Sequence, residues 1–113
     1  MIYQETDGDE YDTFEFSSNV LIKGLLFEQT CFACPEQYDV FLENEQIGYV
    51  RLRGGRLRAS YPDVGGATVY SAVIGVDGLR GKFTSETERQ FHLTKIAKIL
   101  IAKKNSVLNN ESD

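Results

Sequence analysis

Four arginines within eight residues flank a glycine pair, and the alternation around that pair constrains the fold more than any other feature of the chain. The segment is Tyr49-Val50-Arg51-Leu52-Arg53-Gly54-Gly55-Arg56-Leu57-Arg58-Ala59. Period two on both sides of Gly-Gly predicts a β-hairpin with a two-residue turn. Arg53 then pairs with Arg56, Leu52 with Leu57 and Arg51 with Arg58. The leucines share one face of the sheet and the arginines share the other. Like charges placed opposite each other destabilise a sheet by a few tenths of a kcal/mol or more per pair. Something must offset that repulsion, and the candidates are carboxylates of the same chain or an external anion.

The charge distribution bears on that choice. Residues 1–50 hold eleven acidic side chains and one basic one, Lys23, whereas residues 51–104 hold eleven basic and four acidic ones. The net charge of −5 therefore hides a strong polarity. Such a chain either neutralises itself on folding or presents two oppositely charged faces to partners. A meander of adjacent strands juxtaposes the two halves, so internal neutralisation by Asp39, Glu43, Glu45 and the acidic N-terminal segment is the expectation. With 42% hydrophobic and 26% charged residues the chain reads as one globular domain, not a disordered one. Its apolar runs, such as Ile99-Leu100-Ile101-Ala102, are too short to span a bilayer, so no membrane association is expected. The N-terminus lacks the basic and apolar regions of a secretory signal, which suggests a cytoplasmic protein.

Read along the chain, residues 1–12 form a mobile acidic arm, 13–104 a single α+β domain and 105–113 a flexible tail. Thr13–Phe16 reads as a short strand. Asn19–Glu28 reads as a strand bent at Gly24, and Tyr38–Leu42 as a further strand. Glu43–Gln46 turns the chain into the arginine hairpin at Ile47–Tyr61. Thr68–Ile74 and a brief Gly81–Phe83 complete an antiparallel sheet of about five or six strands. A capping box, Ser85-x-x-Glu88, opens the one helix, with Leu93, Ile96, Ala97 and Leu100 on a stripe and Asn105 as its stop.

Few residues suggest chemistry. Cys31-Phe32-Ala33-Cys34 has redox or zinc spacing, but it lies between predicted strands and Pro35 follows it, unlike a redox dithiol at a helix start. A structural zinc site needs four ligands. No second cysteine pair exists, because Tyr61 and Val64 stand where one would be. Cys31 and Cys34 are thus the metal candidates if any metal binds, and are expected to be unbridged and non-catalytic. His92, the sole histidine, falls at the margin of the helical stripe. A Cys34–His92 nucleophile pair has no orienting third group or oxyanion donors to complete it. Gly75-x-x-Gly78-x-x-Gly81 matches turn chemistry, not a phosphate loop.

The binding candidates are therefore Arg51, Arg53, Arg56 and Arg58, flanked by Tyr49 and Tyr61 as stacking surfaces, with Arg80, Lys82, Lys95 and Lys98 extending the basic patch. A small non-catalytic protein-interaction or regulatory module is the leading expectation, with no cofactor and with self-association through a sheet edge or the helix. The alternative is a nucleic-acid-binding domain that uses the arginine face. In layout alone, a sheet with a basic strand pair before a C-terminal helix resembles small DNA readers that lay a sheet in the groove. A structural metal or thiol site at the cysteine pair is the third option.

Overall fold

The structure, a computed structural model, describes residues 19–31 and 36–111. Expectations for the acidic arm, for a strand at Thr13–Phe16 and for Cys34 fall outside these residues. Six strands follow one another in order across a single antiparallel sheet, and one helix packs on it. The strands are β1 (Val20–Ile22), β2 (Leu25–Cys31), β3 (Glu36–Leu42), β4 (Glu45–Arg53), β5 (Arg56–Tyr61) and β6 (Ala67–Val73), followed by α1 (Glu86–Glu111). The α+β reading of the sequence holds.

The arginine hairpin has the register its alternation dictates, with Arg51 opposite Arg58, Leu52 opposite Leu57 and Arg53 opposite Arg56. Gly54 and Gly55 both take positive φ (59° and 75°), as the two central residues of a type I′ turn must. Leu52 and Leu57 are buried, and so are Phe27, Tyr38, Val40, Ile47, Val50 and Ala59 on neighbouring strands. Each fully buried aliphatic side chain of this kind contributes about 1.5–3 kcal/mol relative to exposure. The helix covers this face through Leu93, Ile96, Ala97 and Leu100, all fully buried. Gly48 makes room for it: a Cβ there would sit 2.5 Å from Leu100 Cδ1.

Three local expectations need correction. The stretch 19–28 is not one bent strand but a tight hairpin, β1–β2, because Lys23 and Gly24 both adopt positive φ and reverse the chain. Gly81–Phe83 forms no strand. It follows a turn at residues 75–78, and its hydrogen bonds do not propagate as a ladder, because the Phe83 amide donates to the Glu36 side chain (2.9 Å) instead of to backbone. The helix does not stop at Asn105 but runs on to Glu111. A helix that stops at Asn commonly does so with that residue in the left-handed conformation. Among the described residues only Lys23 and Glu43 are non-glycine with positive φ, and no Gly or Pro interrupts 102–111. The capping box does form. Ser85 Oγ accepts from the Glu88 amide (3.1 Å), while the Glu88 carboxylate reaches one residue further back than expected, to the Thr84 amide (2.9 Å).

Candidate functional site

Register and pleat place the outer face of the sheet in rows. Gln37, Arg51, Arg58 and Ser71 form one row across β3 to β6, and Arg53, Arg56 and Val73 form the next, at the hairpin tip. The guanidinium-bearing positions are thus a two-by-two array, about 5 Å apart across the strands and about 7 Å apart along them. A third row holds Glu28, Asp39, Tyr49 and Ser60. The helix packs on the opposite, leucine-bearing face, so Lys95 and Lys98 do not extend the array. Lys95 Nζ lies 4.5 Å from the Phe91 ring centroid instead.

Arg53, Arg56 and Arg58 are exposed and Arg51 is half-buried. Among the described residues none of the four pairs with a carboxylate; Arg56 reaches only the Ser71 hydroxyl, at 3.5 Å. The carboxylates expected to neutralise them are engaged or distant in register. Asp39 shares their face but accepts from Gln46 Nε2 (3.2 Å), and Glu45 pairs with Lys104 on the helix (2.8 Å). Glu43 stands exposed in the β3–β4 turn. Internal neutralisation within the described fold is therefore overturned, because the strand order sets Asp39 one row away and the turn carries Glu43 off the array. Tyr49 lies on the arginine face, but Tyr61 packs against the core, since alternation from Arg58 points it inward. It is not a stacking surface beside the arginines.

Exposed apolar side chains border the array. Val73 sits directly opposite Arg56 and is 69% exposed. Residues 75–80 fold back on the hairpin turn, where the Gly55 amide donates to the Arg80 carbonyl (2.7 Å), and they expose Val76 and Leu79. Arg80 itself is not part of a free basic patch, because it pairs with Glu88.

One group of charges escaped the sequence reading. Glu36 and Arg89 are both buried. Tyr38 Oη donates to Glu36 Oε2 and accepts from Arg89 Nη1 (3.1 Å). Glu36 also takes the Phe83 amide, and Arg89 Nε and Nη2 hold Glu86 at 3.0 and 3.1 Å. Burial, with Glu36 alongside, pushes the Tyr38 hydroxyl well above the usual tyrosine range. The signal was present in the sequence. Glu36 continues the inward period of Tyr38 and Val40, and Arg89 lies one turn before Leu93 on the apolar stripe. This network fastens the helix start to the beginning of β3 and touches none of the four arginines.

His92 is half-buried, stacked on Phe83 (5.8 Å between centroids), with Nδ1 3.4 Å from Tyr70 Oη. Cys31 ends β2 with a free, half-buried thiol. Among the described residues no group of three or more His, Cys, Asp and Glu gathers as a metal site, and no helix is long and apolar enough to cross a membrane.

Two titrations near the helix start act in the same direction. Burial pushes the His92 pKa below its ordinary value, with Glu88 opposing and Lys95 and Arg80 assisting. Burial also pushes the Glu88 carboxyl up, but the Thr84 amide and Arg80 outweigh this and hold it below the ordinary carboxylate value. Both groups are held deprotonated, so their stability contributions are complete at high pH and vanish as pH falls through the folded-state values. Melting temperature is expected to fall on acidification in two stages, the first below pH 6.5 and the second below pH 4.5. Glu88→Gln should cost about 1 kcal/mol at neutral pH and flatten the second stage, measured by thermal melts. An unchanged second stage would exclude Glu88 as its source.

No family model, curated protein or solved structure matches this chain. What the face does therefore rests on its own geometry.

Proposed function

We propose that this chain is a non-catalytic protein-interaction module whose arginine face captures an acidic polypeptide. The observation that carries the reading is the outward two-by-two array of the half-buried Arg51 and the exposed Arg53, Arg56 and Arg58, which has no carboxylate partner among the described residues. An acidic partner offsets the cross-strand repulsion that the fold leaves in place. The apolar border of Val73, Val76 and Leu79 supports a protein, since arginine beside apolar side chains is the composition of protein interfaces. Rim charges of this kind set association rate and partner choice more than raw affinity.

A second reading, nucleic-acid binding, draws on one specific observation. Residues 19–31 and 36–111 carry twelve basic and ten acidic side chains, so the acidic excess of the whole chain belongs to the remainder. The described domain does not oppose phosphate contact by its own charge. Against this reading, Tyr49 alone of the two tyrosines shares the arginine face, and the neighbouring row carries Glu28 and Asp39.

Replacing Arg51 and Arg58 together by Ser decides the matter. With no carboxylate partner among the described residues to lose and a like-charge pair relieved, the double variant is expected to melt at the same temperature as the wild type or slightly above it. Its affinity for an acidic probe, a labelled poly-glutamate peptide, should fall at least tenfold. Binding of an oligonucleotide in preference to the peptide, with log K falling linearly with log salt, would favour the second reading. Retained peptide affinity in the variant would remove the arginine face from the function.

A further inference from the structure

We infer that the acidic polypeptide binds as an added strand along the free side of β6, with acidic residues at alternate positions on the arginine face and apolar residues between them on the helix face. The inference rests on the reading of the arginine face as a capture surface and gives that capture a geometry and a sequence pattern.

The edge itself is the first ground. β6 is the last strand of the sheet, and among the described residues no strand pairs with its outer side. Its sequence, Ala67-Thr68-Val69-Tyr70-Ser71-Ala72-Val73, holds no charged side chain and no proline. Sheet edges are ordinarily blunted by such residues or by bulges, because free N–H and C=O groups template a further strand. One bulge falls at Val69 and leaves residues 70–73 in regular register with β5. The Ile74 amide donates to the Gly55 carbonyl (2.7 Å), so by alternation Ala72 bonds to β5 as well. Ser71 and Val73 therefore turn their amides and carbonyls to the free side. The opposite edge, β1, is only three residues long.

The two faces beside that edge are the second ground. On the outer face Ser71 continues the row of Arg51 and Arg58, and Val73 the row of Arg53 and Arg56. Arg56 already leans across β6, with Nη1 3.5 Å from Ser71 Oγ. An added strand lies one spacing, about 4.8 Å, beyond Ser71, so carboxylates at its positions i and i+2 meet the array from the side. On the helix face burial is incomplete. Leu57 and Ala59 of β5 are fully buried, whereas their partners on β6, Ala72 and Tyr70, are half-buried. His92 Nδ1 lies 3.4 Å from Tyr70 Oη, and its ring packs against Phe91, which is 55% exposed. Apolar side chains of an added strand extend this unfinished row. A strand that alternates acidic and apolar residues satisfies both faces at once. A second copy of β6 does not, since it brings no carboxylate to the arginines.

Two labelled peptides of one composition test the mode of binding on the wild-type chain: glutamates and valines in equal number, either alternating or in two blocks. The alternating peptide is expected to bind about tenfold more tightly. N-methylated forms read its hydrogen bonds, because in a strand the glutamate amides point to one side and the valine amides to the other. Methylating one set is expected to cost about tenfold, and methylating the other less than about twofold. Hydrogen exchange locates the strand: the Ser71 and Val73 amides should slow about tenfold at saturating peptide. Equal effects of the two methylated sets, or protection gained in β1 instead, overturn the inference. So does a wild-type dimer in analytical ultracentrifugation whose Ser71 and Val73 amides are protected before peptide is added, because a second copy then occupies the edge.

The variant Arg56→Ser, Arg58→Ser separates this inference from the reading beneath it. If the two peptides bind the wild type equally and weaken alike in the variant, strand addition falls and capture by the arginine face stands. If the alternating peptide protects Ser71 and Val73 and binds the variant as tightly as the wild type, capture by the arginines falls and the edge remains.

Discussion

Replacing Glu36 by Ala is expected to destabilise the protein by about 3 kcal/mol and to lower its melting temperature by about 10–15 °C. The carboxylate is 6% exposed and satisfies two buried donors, the Tyr38 hydroxyl and the Phe83 amide. Truncation strands both, at about 1–3 kcal/mol for each unsatisfied group. It also removes a carboxylate from the network around Arg89, which is 5% exposed and pairs with Glu86 of its own helix. Arg89→Met should cost a similar amount, because it keeps the stem that packs and removes the charge that Glu36 faces through Tyr38.

Tyr38→Phe isolates the hydroxyl and should cost less, about 2 kcal/mol, since both charges survive. It carries a separate signature. The Tyr38 pKa is raised by folding, so its contribution is complete below the ordinary value of 10 and is lost as pH rises toward the folded-state value. The alkaline decline in wild-type stability should therefore weaken in Tyr38→Phe. Chemical denaturation across pH, with the three single variants side by side, checks the whole set. A Glu36→Ala chain that melts within about 2 °C of the wild type would show that the network contributes little.

The helix–sheet contact gives the second large effect. Leu100→Ala is expected to cost about 3 kcal/mol, because the side chain is fully buried against β4 and its removal leaves a cavity. Gly48→Ala should cost about 1–2 kcal/mol by itself, since the new methyl would lie 2.5 Å from Leu100 Cδ1 and the fully buried leucine has little room to yield. Combined, the two changes should cost at least 1 kcal/mol less than the sum of the single losses, because the alanine at position 48 occupies space that the leucine vacates. Urea titrations of the two single variants and the double variant measure the coupling. Strict additivity would mean that the helix does not approach β4 at Gly48.

Alternation and turn chemistry determined the arginine hairpin outright, down to each cross-strand pair, because a two-residue turn leaves one register and burial of Leu52 and Leu57 leaves one facing. The helix start was equally legible from Ser85 and Glu88, since a capping box is a local interaction. Local sequence was less informative wherever a partner comes from far along the chain. Glu36 and Arg89 stand at inward positions of strand and helix, but only laying the helix on the sheet brings them together through Tyr38 and buries both charges. Tyr49 lies five residues before Gly54 and Tyr61 six after Gly55, so the alternation that turns Tyr49 outward sends Tyr61 into the core. The balance of the arginine face was the least legible property of all. Total charge suggested neutralisation, but ion pairing acts over a few ångströms, and only the strand order and the helix position decided that Asp39 meets Gln46 and Glu45 meets Lys104. Among the described residues the four arginines have no carboxylate partner.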